Sequence, residues 1–160
     1  MSSFQRMRRL CPWKPHVKKE SVKDHHLLKI PQYVGTPGWI LLTHDEAGKP
    51  LALFVDKQDK PVSIPIILDE RMFSDTVLRV IQLKPNVFLA YDIRYLNGTN
   101  VYEKLNYTSR RALLESLLEE FHHTDLTALL TEAPVDCILH GWEHYDDEPG
   151  TLGVFLPARE

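Results

Sequence analysis

Two apolar runs, Thr76–Leu83 and Val87–Tyr95, flank Lys84-Pro85-Asn86 and constrain the fold more than any other stretch of the chain. Proline presets a turn-compatible φ, and asparagine tolerates tight backbone geometry. The flanks are rich in Val, Ile, Leu, Phe and Tyr, which suit a pleated, buried surface. The pattern predicts a hairpin of two central strands. Asn97-Gly98 ends the second run and predicts a turn with positive φ.

The remainder is arranged around this pair. Thr36-Pro37-Gly38 predicts a turn that launches a strand at Trp39–Thr43. The polar stretch His44–Pro50, with Gly48, predicts a turn into a return strand, Leu51–Asp56. Val62–Leu68 contains Pro65, which places it at a sheet edge or bulge. At Thr108 the period changes. Leu113, Leu114, Leu117, Leu118 and Phe121 recur at helical spacing, with Thr108 as the expected N-cap. Asp125–Leu130 is expected to add a helical turn, and Cys137–His144 and Thr151–Leu156 to form the last strands. Strands around one amphipathic helix indicate an α+β domain.

A chain of 160 residues suits one domain that buries about two-thirds of its unfolded surface. No apolar run approaches the ~20 residues that span a bilayer. Arg6, Arg8 and Arg9 are followed by no apolar stretch, so a secretory signal is not expected. Two widely separated cysteines, Cys11 and Cys137, fit free thiols inside a cell, in cytoplasm or nucleus, better than a disulfide framework. His25-His26 and His122-His123 lack nearby cysteines, and adjacent side chains diverge, so no metal site is expected. Charge is uneven. Met1–Asp24 carries seven Lys and Arg against Glu20 and Asp24, a net +5, whereas Glu132–Glu160 carries seven acids against Arg159, a net −6. Residues 1–24 therefore read as a basic, flexible tail, either solvated or touching phosphates or an acidic partner, and residues 25–160 as the domain.

The stretch Phe88–Gly98, FLAYDIRYLNG, followed by an Arg-containing Leu-rich helix, resembles the nucleotidyltransferase domain of mRNA capping enzymes and polynucleotide ligases. Thr43–Asp56 resembles that family's nucleophile region, Thr76–Val80 its Thr-Val-Leu-Asp-Gly-Glu region, and Val135–Leu139 and Pro149–Pro157 its two late motifs. The resemblance implies an antiparallel-sheet nucleotidyltransferase fold. In that family a lysine attacks a nucleoside triphosphate, and acids and further lysines manage metal and phosphate charge. Here Lys-x-Asp-Gly is replaced by Asp45-Glu46-Ala47-Gly48, Asp-Gly-Glu by Arg79-Val80-Ile81, and the late Lys-x-Lys by Val154-Phe155-Leu156. A carboxylate repels a triphosphate and cannot stand in for the lysine. The resemblance thus implies a scaffold without transferase activity and without a cofactor.

Among lysine-free uses of such a scaffold, the chain is most similar to the snurportin family of cap-binding import adaptors. Trp39-Ile40-Leu41-Leu42, Gly48-Lys49, Thr76-Val77-Leu78, Val135-Asp136 and the late strand Leu152–Pro157 carry that similarity. It implies that Phe155 stands at or next to the position that stacks on a methylated base, through stacking and cation–π attraction, and that Trp39 helps shape the pocket. Trp142, in a polar stretch, is a further stacking candidate, and Lys49 and Arg79 are candidates for phosphate contact. The expected ligand is a capped RNA 5′ end or a guanine nucleotide, with an import receptor as partner of the basic tail. Two alternatives stand beside this: a divergent guanylyltransferase or ligase that uses Lys49, and a pseudoenzyme that binds protein alone. For each candidate aromatic the competing role is packing in the core. For Asp92 it is a hydrogen bond to Asn97 or nearby backbone.

Overall fold

The predicted hairpin lies at the centre of a large sheet. Its strands, β7 (Thr76–Lys84) and β8 (Val87–Leu96), pair antiparallel across Pro85-Asn86. The computed structural model describes residues 5, 9, 16–18, 28–58, 60–65, 67–68, 70–123, 127–150 and 153–158. Trp13, His25, His26 and most of the basic segment lie outside the described residues.

The other strands are β1 (His16–Lys18), β2 (Leu28–Tyr33), β3 (Thr36–His44), β4 (Pro50–Asp56), β5 (Val62–Ser63), β6 (Ile67–Leu68), β9 (Thr99–Asn100), β10 (His122–His123), β11 (Ala128–Leu130), β12 (Leu139–Tyr145) and β13 (Gly153–Pro157). The large sheet runs β11-β8-β7-β3-β4-β5, with β9 added to β8, and β11 is its parallel member. A four-stranded sheet runs β1-β13-β12-β2, and β10 pairs with β6. Asn97 and Gly98 take φ of 47° and 84° and join β8 to β9 in the tight turn their identities predict.

The α+β expectation needs correction. The protein is mostly β, 50% strand against 18% helical, with a curled mixed sheet and one long helix. Segments read as turn or helix are strands: Thr36–Gly38 belong to β3, and Ala128–Leu130 run parallel to β8 instead of extending the helix. The periodicity of so short a segment could not distinguish the two, and the open edge of β8 decided it. His16–Lys18, inside the stretch expected to be a tail, pair parallel with β13.

Helix α1 (Val101–Lys104) is a single turn capped by Asn100, whose side chain accepts from the Glu103 N–H. Helix α2 spans Tyr107–Phe121. Its N-cap is Asn106, which accepts from the Ser109 N–H at 2.9 Å, and not Thr108 as predicted. Leu114 and Leu118 bury against Ile40, Leu42, Leu78, Val80, Phe88 and Ala90 on one face of the large sheet. Each contributes roughly 1.5–3 kcal/mol by leaving water. Strand alternation turns Trp39, Leu41, Val55 and Val77 to the opposite face. This second face, called inner below, meets the small sheet where β7 touches β12.

Candidate functional site

Charged residues inside apolar strands must find partners, because an unpaired buried charge is costly. Four such residues, Arg79, Asp92, Arg94 and Glu143, organise the inner face. Two bulges place them. β8 pairs Ala90 with Val80 and Asp92 with Arg79, so Tyr91 is extra; it pairs Ile93 with Leu78 and Tyr95 with Val77, so Arg94 is extra. A bulge re-aims the extra side chain and frees backbone groups. α2 satisfies two of those groups: Tyr107 Oη donates to Tyr91 O at 2.6 Å and Arg111 Nη1 to Ala90 O at 3.1 Å.

Arg79 makes a two-pronged contact with Glu143 on β12, Nη1–Oε1 2.9 Å and Nη2–Oε2 2.6 Å. Tyr145 donates to the same carboxylate at 2.7 Å, and the Tyr91 ring lies 4.8 Å from the guanidinium. All four residues are buried. Burial opposes the charge on Arg79, but Glu143, Tyr91 and Tyr145 together outweigh it and hold the guanidinium pKa above its ordinary value. Burial likewise pushes the Tyr145 phenol well up, with Glu143 adding to the rise; Tyr91 and Tyr107 are raised mainly by burial. The pair therefore ties the two sheets.

Asp92 is fully buried and serves two arginines. Its Oδ1 accepts from Arg110 Nε at 2.8 Å and from the Ile93 N–H at 2.8 Å. Its Oδ2 accepts from Arg94 Nε at 3.1 Å and Arg110 Nη2 at 3.3 Å. Arg110 also donates to Leu105 O at 2.8 Å. The Tyr102 ring lies 4.0 Å from the Arg94 guanidinium and 5.0 Å from that of Arg110. Trp39 lies 5.4 Å from Arg94. Arg94 is 8% exposed, and its Nη2 is buried without a hydrogen-bond partner.

The five residues singled out from sequence separate into two groups. Trp39 and Arg79 are direct cross-strand partners on the inner face. Phe155 pairs with Glu143 and so faces the same way, stacked on His140 at 5.0 Å. A Cβ at Gly141 would sit 2.6 Å from the Phe155 ring, so glycine there admits the ring against β12. Trp39 and Phe155 are only 2% and 6% exposed. Trp142, one residue from Glu143, points to the other face of β12, half-buried, with Lys29 Nζ 4.3 Å from its ring. Lys49 is exposed at the end of the β3–β4 hairpin, on the order of 17 Å from Trp39 at the strand rise per residue. Asp45 caps that hairpin, accepting from the N–H groups of Ala47 and Lys49 at 2.9 Å each.

Sequence reasoning missed Arg94, Arg110 and Glu143. Asp92 does bond nearby backbone, at Ile93, but its main partners are arginines; Asn97 instead bonds Ser74, Thr76 and Arg71. The available signal was the occurrence of charges inside strands of otherwise apolar sequence. Among the described residues no group of three or more His, Cys, Asp or Glu is placed to hold a metal, and no helix is long and apolar enough to cross a membrane. Neither a protein-family model nor a curated protein matches the chain.

Proposed function

We propose that the domain is a catalytically silent binder of a nucleotide-class ligand, a capped RNA 5′ end or a guanine nucleotide. The observation that supports this is Trp39 on the inner face with the Arg94 guanidinium 5.4 Å from its ring, the same guanidinium lying 4.0 Å from the Tyr102 ring. Aromatic rings interleaved with guanidinium groups suit a base beside a phosphate. The motif order that resembles capping enzymes and snurportin-type adaptors points the same way. Silence is supported by Asp45, which stands where that family has its nucleophile and is engaged as a hairpin cap. Trp39 and Phe155 are covered, so entry of a base requires the small sheet or α1 to move off the inner face. In this reading the basic N-terminal segment contacts RNA phosphates or an import receptor.

The test is calorimetric titration with 7-methylguanosine and trimethylguanosine caps, GTP and ATP, beside incubation with labelled ATP or GTP and Mg²⁺. The expected result is saturable binding of a guanine ligand with no covalent nucleotide on the protein. Absence of binding to all four overturns the ligand reading, and a labelled band that disappears in Lys49→Ala overturns the silence. One observation favours a protein-binding platform as the second reading. Val34, Val135 and Ile138 are exposed apolar residues, and Val34 and Ile138 are joined by a 2.8 Å backbone hydrogen bond.

A further inference from the structure

Asp92 is oversubscribed. A carboxylate normally engages a guanidinium through two oxygens, as Glu143 does with Arg79. Asp92 engages Arg110 in this way and gives Oδ1 also to the Ile93 N–H, leaving Arg94 a single bond to Oδ2 through Nε. Arg94 Nη2 is consequently buried with no acceptor. Among the described residues, the buried charged groups are three arginines, Arg79, Arg94 and Arg110, and two carboxylates, Asp92 and Glu143. A buried guanidinium nitrogen without an acceptor costs free energy that an anion would recover. Two aromatic rings, Trp39 and Tyr102, lie 5.4 and 4.0 Å from the Arg94 guanidinium.

We infer that Arg94 is the anchor of an oxyanion site for a phosphate group, with Trp39 and Tyr102 as its walls. The cover over this point is α1. Gly150 N–H donates to Tyr102 O at 2.8 Å, and Asp147, at φ 56°, accepts from the Thr108 N–H and hydroxyl at 2.9 and 2.6 Å. These bonds fasten the segment after β12 onto the starts of both helices, and the phosphate enters beneath them. The site stands on Arg94 alone and does not require the nucleotide reading, although a nucleotide's phosphate chain is one source of such a group and free phosphate another.

The experiment titrates inorganic phosphate and pyrophosphate into the full chain at constant ionic strength, by calorimetry and by thermal shift, with chloride as control. The variants are Arg94→Leu, Arg94→Lys and the exposed Lys84→Ala. Binding to the native state raises the melting temperature. Wild type and Lys84→Ala should bind with equal affinity. Arg94→Leu should lose roughly tenfold or more, the effect of removing a charge-assisted bond. Arg94→Lys, which keeps the charge but not the fork, should also weaken binding and decides the matter if the Leu variant does not fold. No saturable phosphate or pyrophosphate binding by the wild type overturns the inference, as does undiminished binding in folded Arg94 variants. Phosphate binding that depends on Arg94, with no affinity for caps or nucleotides, leaves this site standing while the nucleotide reading falls. Cap binding that is indifferent to Arg94 does the reverse.

Discussion

Arg79 and Arg94 lie on neighbouring strands of one sheet, and both are buried, yet Arg79 holds both oxygens of its carboxylate and Arg94 shares one carboxylate with a second arginine. Around Arg79 the partners come from different sheets: Glu143 lies 64 residues away in sequence and meets the guanidinium with both oxygens. Around Arg94 the carboxylate is two residues away, on the same strand, and a helix arginine already engages both of its oxygens. A closed pair has no capacity left for a ligand and works as a tie between sheets. A shared carboxylate leaves one cation with unused donors, and unused donors are what a binding site requires. The same residue type on one surface is thus structural in one place and receptive in the other.

The largest effect is expected from breaking the closed pair. Glu143→Ala strands Arg79 as a buried, unpaired charge and should destabilise the domain by about 3–5 kcal/mol in urea denaturation. Replacing both partners, Arg79→Leu with Glu143→Leu, should recover much of that loss, because the stranded charge is then gone. A double variant no better than Glu143→Ala would mean that packing, and not the charge, accounts for the cost.

Alkaline pH probes the same pair more gently. Tyr145 and Tyr91 beside it, and Tyr107 nearby, all have pKa values raised in the fold, chiefly by burial. The folded state therefore keeps these protons after the unfolded chain releases them. Their contribution is fully present below the ordinary tyrosine pKa of about 10 and declines as pH rises from there toward the folded values. Each contributes a loss of up to about 1.4 kcal/mol per pH unit in that window. Urea denaturation at stepped pH measures the slope, and Tyr145→Phe should reduce it. A slope that Tyr145→Phe leaves untouched would separate the tyrosine from the effect.

The smallest effect sharpens the comparison from the other side. Arg94→Leu removes a cation whose Nη2 is already unsatisfied and returns Asp92 to Arg110 alone. Its cost should stay under about 1 kcal/mol, because replacing a poorly satisfied buried charge with an apolar group is often neutral. A loss as large as that of Glu143→Ala would show Arg94 to be as structural as Arg79.

Local signals in the sequence determined the central hairpin, the Asn97-Gly98 turn and the core face of α2. Each rests on residues close in sequence: a turn former between β-rich runs, a pair that accepts positive φ, leucines at helical spacing. They also marked Trp39 and Arg79, which the register of β3 and β7 brings side by side. Sequence could not place Lys49 or Trp142 relative to that pair, because strand length puts one at a hairpin end and strand alternation turns the other outward. It also read the chain as α+β, since a three-residue strand such as β11 acquires its identity only from the open edge of β8. Tertiary structure alone decided the charge pairing. Which arginine meets which carboxylate depends on two bulges in β8 and on the meeting of sheets far apart along the chain, and neither leaves a periodic trace in the sequence.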